Sequence, residues 1–183
     1  MDRLPTERDL QVICWQIGRA ARGVIAVAAT CRYGFPQVTV NKFVFSSEQG
    51  FELFPNVFWL TCPYLVQEVG RLEAAGGVRD AEQLIRDDPG FAERYLDNHR
   101  AYREERRRLL CVEEVDLLRA VGREEAADTG IGGLRNHRRV KCLHVQLAHF
   151  LARGSNPVGE LVADRLPALA CPPEEVRCWA GLE

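Results

Sequence analysis

Alternating, β-type sequence is confined to one block of this chain, residues 24–61, and the segments on either side of it repeat at helical spacing. Strands gathered in one run, with short turns between them, pair as antiparallel neighbours, so the pattern predicts an α+β fold. Within the block, Val24–Cys31, Val38–Phe45 and Phe51–Thr61 read as strands, separated by turns at Gly34-Phe35-Pro36 and Ser46-Ser47-Glu48-Gln49-Gly50. The expected architecture is a three-stranded antiparallel meander packed against a helical bundle of about five helices, because three strands covered on one face are normally the least that is stable.

Leu10, Ile13, Cys14 and Ile17 place an amphipathic helix before the meander, over 6–21. After it, Pro63 suits the first turn of a helix whose stripe is Leu65, Val66, Val69 and Leu72 and which stops at Gly76-Gly77. A short helix near Ala81–Ile85 precedes Asp88-Pro89, an N-cap and first-turn pair that opens a long helix to about Leu110. Its inner stripe is Phe91, Tyr95, His99, Tyr102 and Leu109, and its outer face is charged. The helical pattern continues from Cys111 to Val121, breaks in a glycine loop at residues 128–133, and resumes with Val140, Leu143, Leu147 and Leu151. With no internal repeat, the expectation is a single domain: helix 6–21, meander 24–61, helical part 63–165 and an extended, proline-bearing tail 166–183.

A chain of 183 residues buries roughly 70% of its unfolded surface, so one ordinary core suffices. The 24 basic and 26 acidic residues leave a net charge of −2, which gives no global attraction to nucleic acid or to an anionic membrane. Residues 1–10 lack the apolar centre of an export signal and no apolar run approaches the ~20 residues of a membrane span, so the expected location is the cytoplasm. In that reducing setting the seven cysteines read as core residues, metal ligands or nucleophiles rather than as disulfides.

Three stretches carry a resemblance. They are Ile17-Gly18-Arg19 through Arg22-Gly23-Val24 with Cys31; Phe58-Trp59-Leu60-Thr61-Cys62-Pro63 with Arg71-Leu72-Glu73; and Gly130-Ile131-Gly132-Gly133 leading to Arg139-Val140-Lys141-Cys142-Leu143-His144-Val145, Ala148-His149 and Asn156-Pro157-Val158-Gly159. Together with the spacing of Tyr95, His99, Tyr102 and Arg106, they resemble the bacterial family catalogued as domain of unknown function 501 (DUF501). The resemblance implies no particular activity. The family pattern often has a second cysteine two residues beyond the one matching Cys31, where this chain has Tyr33.

Cys31 and Cys62 end the first and third expected strands, which run in the same direction, so both thiols can meet at one edge of the sheet. With Cys142 and His144 they form a candidate soft-ligand set for zinc or an iron–sulfur cluster. In a continuous helix Cys142 and His144 point roughly 200° apart, but they can share one ion if the helix begins only after Cys142. The alternative for His144 is a core histidine bonded to a backbone carbonyl. Cys62, ahead of Pro63 at a helix N-terminus, is a candidate nucleophile with His99 or His149 as its base, or else a buried N-cap thiol. Cys14 and Cys111 read as core, and Cys171 and Cys178 as exposed tail residues or ligands folded back.

Gly130, Gly132 and Gly133, followed by Arg135, Arg139 and Lys141, offer free N–H groups and positive charge at a helix start. This is a candidate site for a phosphate-bearing small molecule or RNA, or else a plain loop with solvated charges; Arg19, Arg22 and Arg32 extend the basic patch if the meander lies near. The functional expectation is a metal-binding or thiol-dependent protein with an anionic ligand. The alternative is a non-catalytic RNA-, nucleotide- or protein-binding module.

Overall fold

The computed structural model describes residues 2–47 and 50–182. Helix α1 spans Glu7–Ile17. Thr6 and Asp9 cap it reciprocally, and Asp9 also takes a two-pronged bond from Arg3, with its carboxyl held down at about 2 by that partner. The helix stops at Gly18, whose φ of 68° is left-handed, four residues short of the expected end at 21.

The sheet is antiparallel and three-stranded, in the order β1 (Val24–Thr30), β2 (Pro36–Asn41), β5 (Phe58–Leu60). Its register pairs Val24 with Asn41 and Val38 with Leu60. The meander is therefore present, but its third strand is only the end of the expected one. Between β2 and β5 the chain forms a separate hairpin, β3 (Val44–Ser47) and β4 (Gly50–Leu53), pairing Phe45 with Glu52. The sequence hid this break because β-type residues run through Phe43, which leaves the sheet to join Val44 and Leu118 in a small core of its own. Of the expected second turn, Ser46, Ser47 and Gly50 belong to these strands, while Glu48 and Gln49 lie outside the described residues.

Seven α-helices are found among the described residues, more than the five expected. After α1 come α2 (Pro63–Ala74), α3 (Gly77–Asp87), α4 (Pro89–Leu109), α5 (Val112–Ala120), α6 (Leu143–Arg153) and α7 (Pro157–Arg165). Helix α6 lies against the sheet, burying Leu147 and Ala148 in one core with Val38, Val40, Phe58 and Leu60. α2, α4 and α7 complete that core through Leu65, Val69, Tyr95, Tyr102, Val158 and Val162. No described helix is long and apolar enough to cross a membrane.

Two expectations about the ends of the chain fail. The tail is not extended: short 3-10 turns at Pro173–Glu175 and Arg177–Leu182 return to α1, while Leu169 and Cys171 give their carbonyl oxygens to Gln37, Arg32 and Tyr33. Cys171 and Cys178 are consequently buried rather than exposed, because these side chains from the sheet end satisfy the returning backbone. Cys111, expected in the core, is exposed as the N-cap of α5.

The connections are fixed from α4. Tyr102 accepts the Val57 N–H at 2.7 Å, and the fully buried Arg106 guanidinium donates to the carbonyls of Pro55 (2.9 Å), Ala127 (3.2 Å), Thr129 and Gly130 (3.3 Å). Arg106 also lies over the rings of Phe43 and Tyr102. Replacing Arg106 by Met keeps the volume but strands several buried acceptors, so urea unfolding should show a loss of roughly 3 kcal/mol or more. Arg108→Met, on the exposed face of α4, should stay within about 0.5 kcal/mol of the native chain.

Candidate functional site

The segment leading into α6 is held from three helices. Tyr95 of α4 donates to the Arg139 carbonyl at 3.1 Å, and Glu82 of α3 takes the Val140 N–H at 3.0 Å and the Arg139 side chain at 2.8 Å. Glu73, in the last turn of α2, accepts the Leu143 N–H, an N-terminal donor of α6 that its own helix cannot satisfy. With its backbone pinned on both sides, Cys142 becomes the N-cap residue, in extended conformation (φ −156°, ψ 157°).

Since α6 starts after Cys142, Cys142 and His144 need not diverge as they would in a continuous helix. The ligand atoms of Glu73, Cys142 and His144 lie within 4.8 Å of one another, and all three residues are half-buried. This is the one such trio among the described residues. Glu73 comes from another helix and has no motif of its own, so only the packing of α2 on α6 reveals it. Its Oε1 serves Leu143 and faces His144 Nδ1 at 3.2 Å, while Oε2 accepts no hydrogen bond from the described residues.

The other nitrogen of His144, Nε2, faces the Val66 carbonyl at 3.0 Å and must donate to it. Nδ1 is thereby directed at Cys142 and Glu73. Burial opposes a charge on this ring, but the hydrogen bonds to Cys142 and Val66 and the nearby Glu73 carboxylate outweigh it and raise the imidazole to about 9.

The other expected members of the set lie elsewhere. Cys62 caps the opposite end of α2, a helix of 12 residues and hence about 18 Å long, and is 4% exposed. Burial pushes its thiol up to about 11, the reverse of an activated nucleophile. Cys31 is half-buried beside Val12, Phe35 and Cys178, and Cys62 lies near Cys171 and Cys178, so both sheet-edge thiols meet the returning tail. Neither Cys31 nor Cys62 belongs to a ligand trio among the described residues.

His99 and His149 are not bases for Cys62. His99 Nδ1 accepts the Ile131 N–H at 3.0 Å, and its ring stacks on His137 at 4.5 Å. His149 Nδ1 faces the Asn156 amide at 3.1 Å within a chain that continues through Gln146 to Tyr95, and its ring stacks on Phe58. Burial first, then neighbouring positive or titratable groups, drives His99 down to about 3 and His149 to about 4. Both are neutral core histidines.

The glycine loop is engaged largely in internal contacts. The Gly130, Ile131 and Gly133 N–H groups donate to Leu134 O, His99 Nδ1 and Gly130 O, while Arg106 takes carbonyls on the other side. A Cβ at Gly130 would sit 2.0 Å from His99 Nδ1, so the close contact with the imidazole requires glycine there. Gly132 is buried, and Arg135 and Arg139 pair with Glu125 and Glu82. Lys141 is exposed, immediately before Cys142.

Two outcomes follow. Mass-resolved alkylation at neutral pH should label Cys111 and Cys142 long before Cys62, Cys171 and Cys178, which should react only on unfolding. His99 and His149 stay neutral when folded but protonate near 6.5 when unfolded, so their contribution is complete above 6.5 and falls away as the pH drops towards 4 and 3. Urea midpoints measured from pH 7 to pH 4 should fall, and less steeply in His149→Gln.

No curated protein and no solved structure matches the chain. The family model described as "Protein of unknown function (DUF501)" matches residues 27–164, a span that holds all but the first three residues of the sheet, α2 to α6, and the Glu73, Cys142 and His144 trio. With most of its length so matched, the chain belongs to the DUF501 family.

Proposed function

We propose that this protein binds a zinc-class divalent ion through Cys142 Sγ, His144 Nδ1 and a carboxylate oxygen of Glu73, with the fourth position open to water or to an anionic ligand. The observation that carries this reading is the convergence of three unlike ligand atoms within 4.8 Å, with a backbone carbonyl fixing the imidazole. Metal-bound histidines commonly donate their second N–H to such a carbonyl, which sets the tautomer and orients the ring. Glu73 keeps one oxygen free, and three protein ligands with one open position is the arrangement of reactive rather than purely structural zinc. An iron–sulfur cluster fits less well, because it draws on several thiolates and the trio supplies one. Lys141 provides positive charge for an anionic fourth ligand.

A thiol-dependent reaction at Cys142 is the second reading. It rests on the hydrogen bond between Cys142 and His144 and on a ring that stays protonated at neutral pH. The two readings separate experimentally. On the metal reading, cobalt(II) added to metal-free protein should bind at one equivalent and give a near-ultraviolet thiolate-to-metal band. Cys142→Ser should abolish the band, and Glu73→Gln should weaken binding by at least roughly tenfold. Zinc should protect Cys142 from alkylation. If cobalt gives no thiolate band and zinc leaves alkylation unchanged, the metal reading fails and the thiol reading remains.

A further inference from the structure

A concavity of about 310 Å³ opens on the other side of the sheet from α6, between the turn after α1 and the β3–β4 hairpin. Trp59 alternates with the buried Phe58 and Leu60, so its side chain emerges on this second face. Phe54 lies against it, with ring centroids 5.3 Å apart. Phe45 and Glu52 are direct cross-strand partners and stand side by side in the wall. Gly23 lies beside the Phe45 ring, and its left-handed φ of 73° is one that glycine adopts without strain.

Arg19 and Arg22 complete the rim, and neither is ion-paired with a described residue. The Arg19 guanidinium lies over the Trp59 ring at 5.3 Å, a contact that leaves its N–H groups for another partner. Two guanidinium groups against one carboxylate give the pocket a net positive charge. Its chemistry is thus aromatic surface for a planar ring, paired cations for an anion, and one isolated acceptor at the wall.

We propose that this pocket binds a guanine nucleotide, the phosphate on Arg19 and Arg22, the base against the Phe45, Phe54 and Trp59 surface, and its edge on Glu52. A carboxylate only accepts hydrogen bonds. Guanine offers two adjacent donors, N1–H and N2–H, whereas adenine sets an acceptor beside its single amino group and repels the carboxylate. The volume matches the low end of small-ligand sites, which is the range a mononucleotide needs. The same chemistry is met by free GMP and by a guanosine within single-stranded RNA. The inference is independent of any metal at Cys142.

The test is titration of the full chain with GMP, AMP and inorganic phosphate, read by tryptophan emission and by equilibrium dialysis. GMP should quench emission and bind at least roughly tenfold more tightly than AMP or phosphate. Trp59→Phe should remove most of the signal while dialysis still reports binding. Arg19→Ala with Arg22→Ala should weaken GMP by at least roughly tenfold, and Glu52→Gln should bring GMP and AMP to within about twofold of each other. All these positions are partly or fully exposed, so an unchanged unfolding midpoint will show that the variants fold. A guanosine-bearing RNA oligonucleotide that binds more tightly than GMP would identify RNA as the source, and equal affinity would identify the free nucleotide. The proposal is overturned if GMP binds no better than AMP or phosphate, if the double arginine variant binds GMP normally, or if an all-adenosine oligonucleotide binds as well as the guanosine one.

Discussion

A guanidinium with no carboxylate partner, sealed inside the protein, holds the irregular half of this fold in place. Arg106 donates to carbonyls from two unrelated stretches, the approach to β5 and the loop between α5 and α6. Backbone carbonyls are good acceptors but weak counter-ions, and burial lowers the Arg106 pKa accordingly. What makes the arrangement stable is geometry: five N–H donors in a rigid fork reach several acceptors at once, which no lysine or neutral side chain can do. The loop so fixed lies against His99, and its exit is the segment that delivers Cys142 to the start of α6.

The buried polar residues divide the labour. Tyr95, His99, Tyr102, Arg106, Gln146, His149 and Asn156 form the interior seam between α4, α6 and the loops, and most of their polar atoms bond to one another or to backbone, while His99 Nε2 and Arg106 Nε have no partner among the described residues. Such a network specifies one packing because an alternative leaves unpaired groups in a low dielectric. Groups left with spare capacity include Cys142 and one oxygen of Glu73, beside His144 at the α2–α6 junction, and Arg19, Arg22 and Glu52 around an aromatic pocket on the other face.

The histidines show how far environment decides protonation. His99 and His149 sit among aromatic rings with each Nδ1 turned to an N–H donor, so burial prevails and both stay neutral. His144 is also partly buried, yet a carboxylate, a carbonyl and a thiol surround it and favour the cation. The cysteines divide in the same way. Cys62 has a helix N-terminus behind it, but the tail covers it, and loss of solvent raises its pKa beyond what the helix end can offset.

Periodicity alone established the α+β arrangement, the position of the first two sheet strands, the inner stripe of α4 and the Pro63 and Asp88 helix starts, because these depend on residues near in sequence. Motif spacing likewise identified the family and put Cys142 and His144 together, conditional on where α6 begins. Tertiary structure decided the rest. It split the block into a sheet and a hairpin, packed the glycine loop against His99, folded the tail over Cys171 and Cys178, and brought Glu73 to Cys142. Each of these depends on which distant group satisfies a given backbone N–H or carbonyl, and a linear pattern does not encode that pairing.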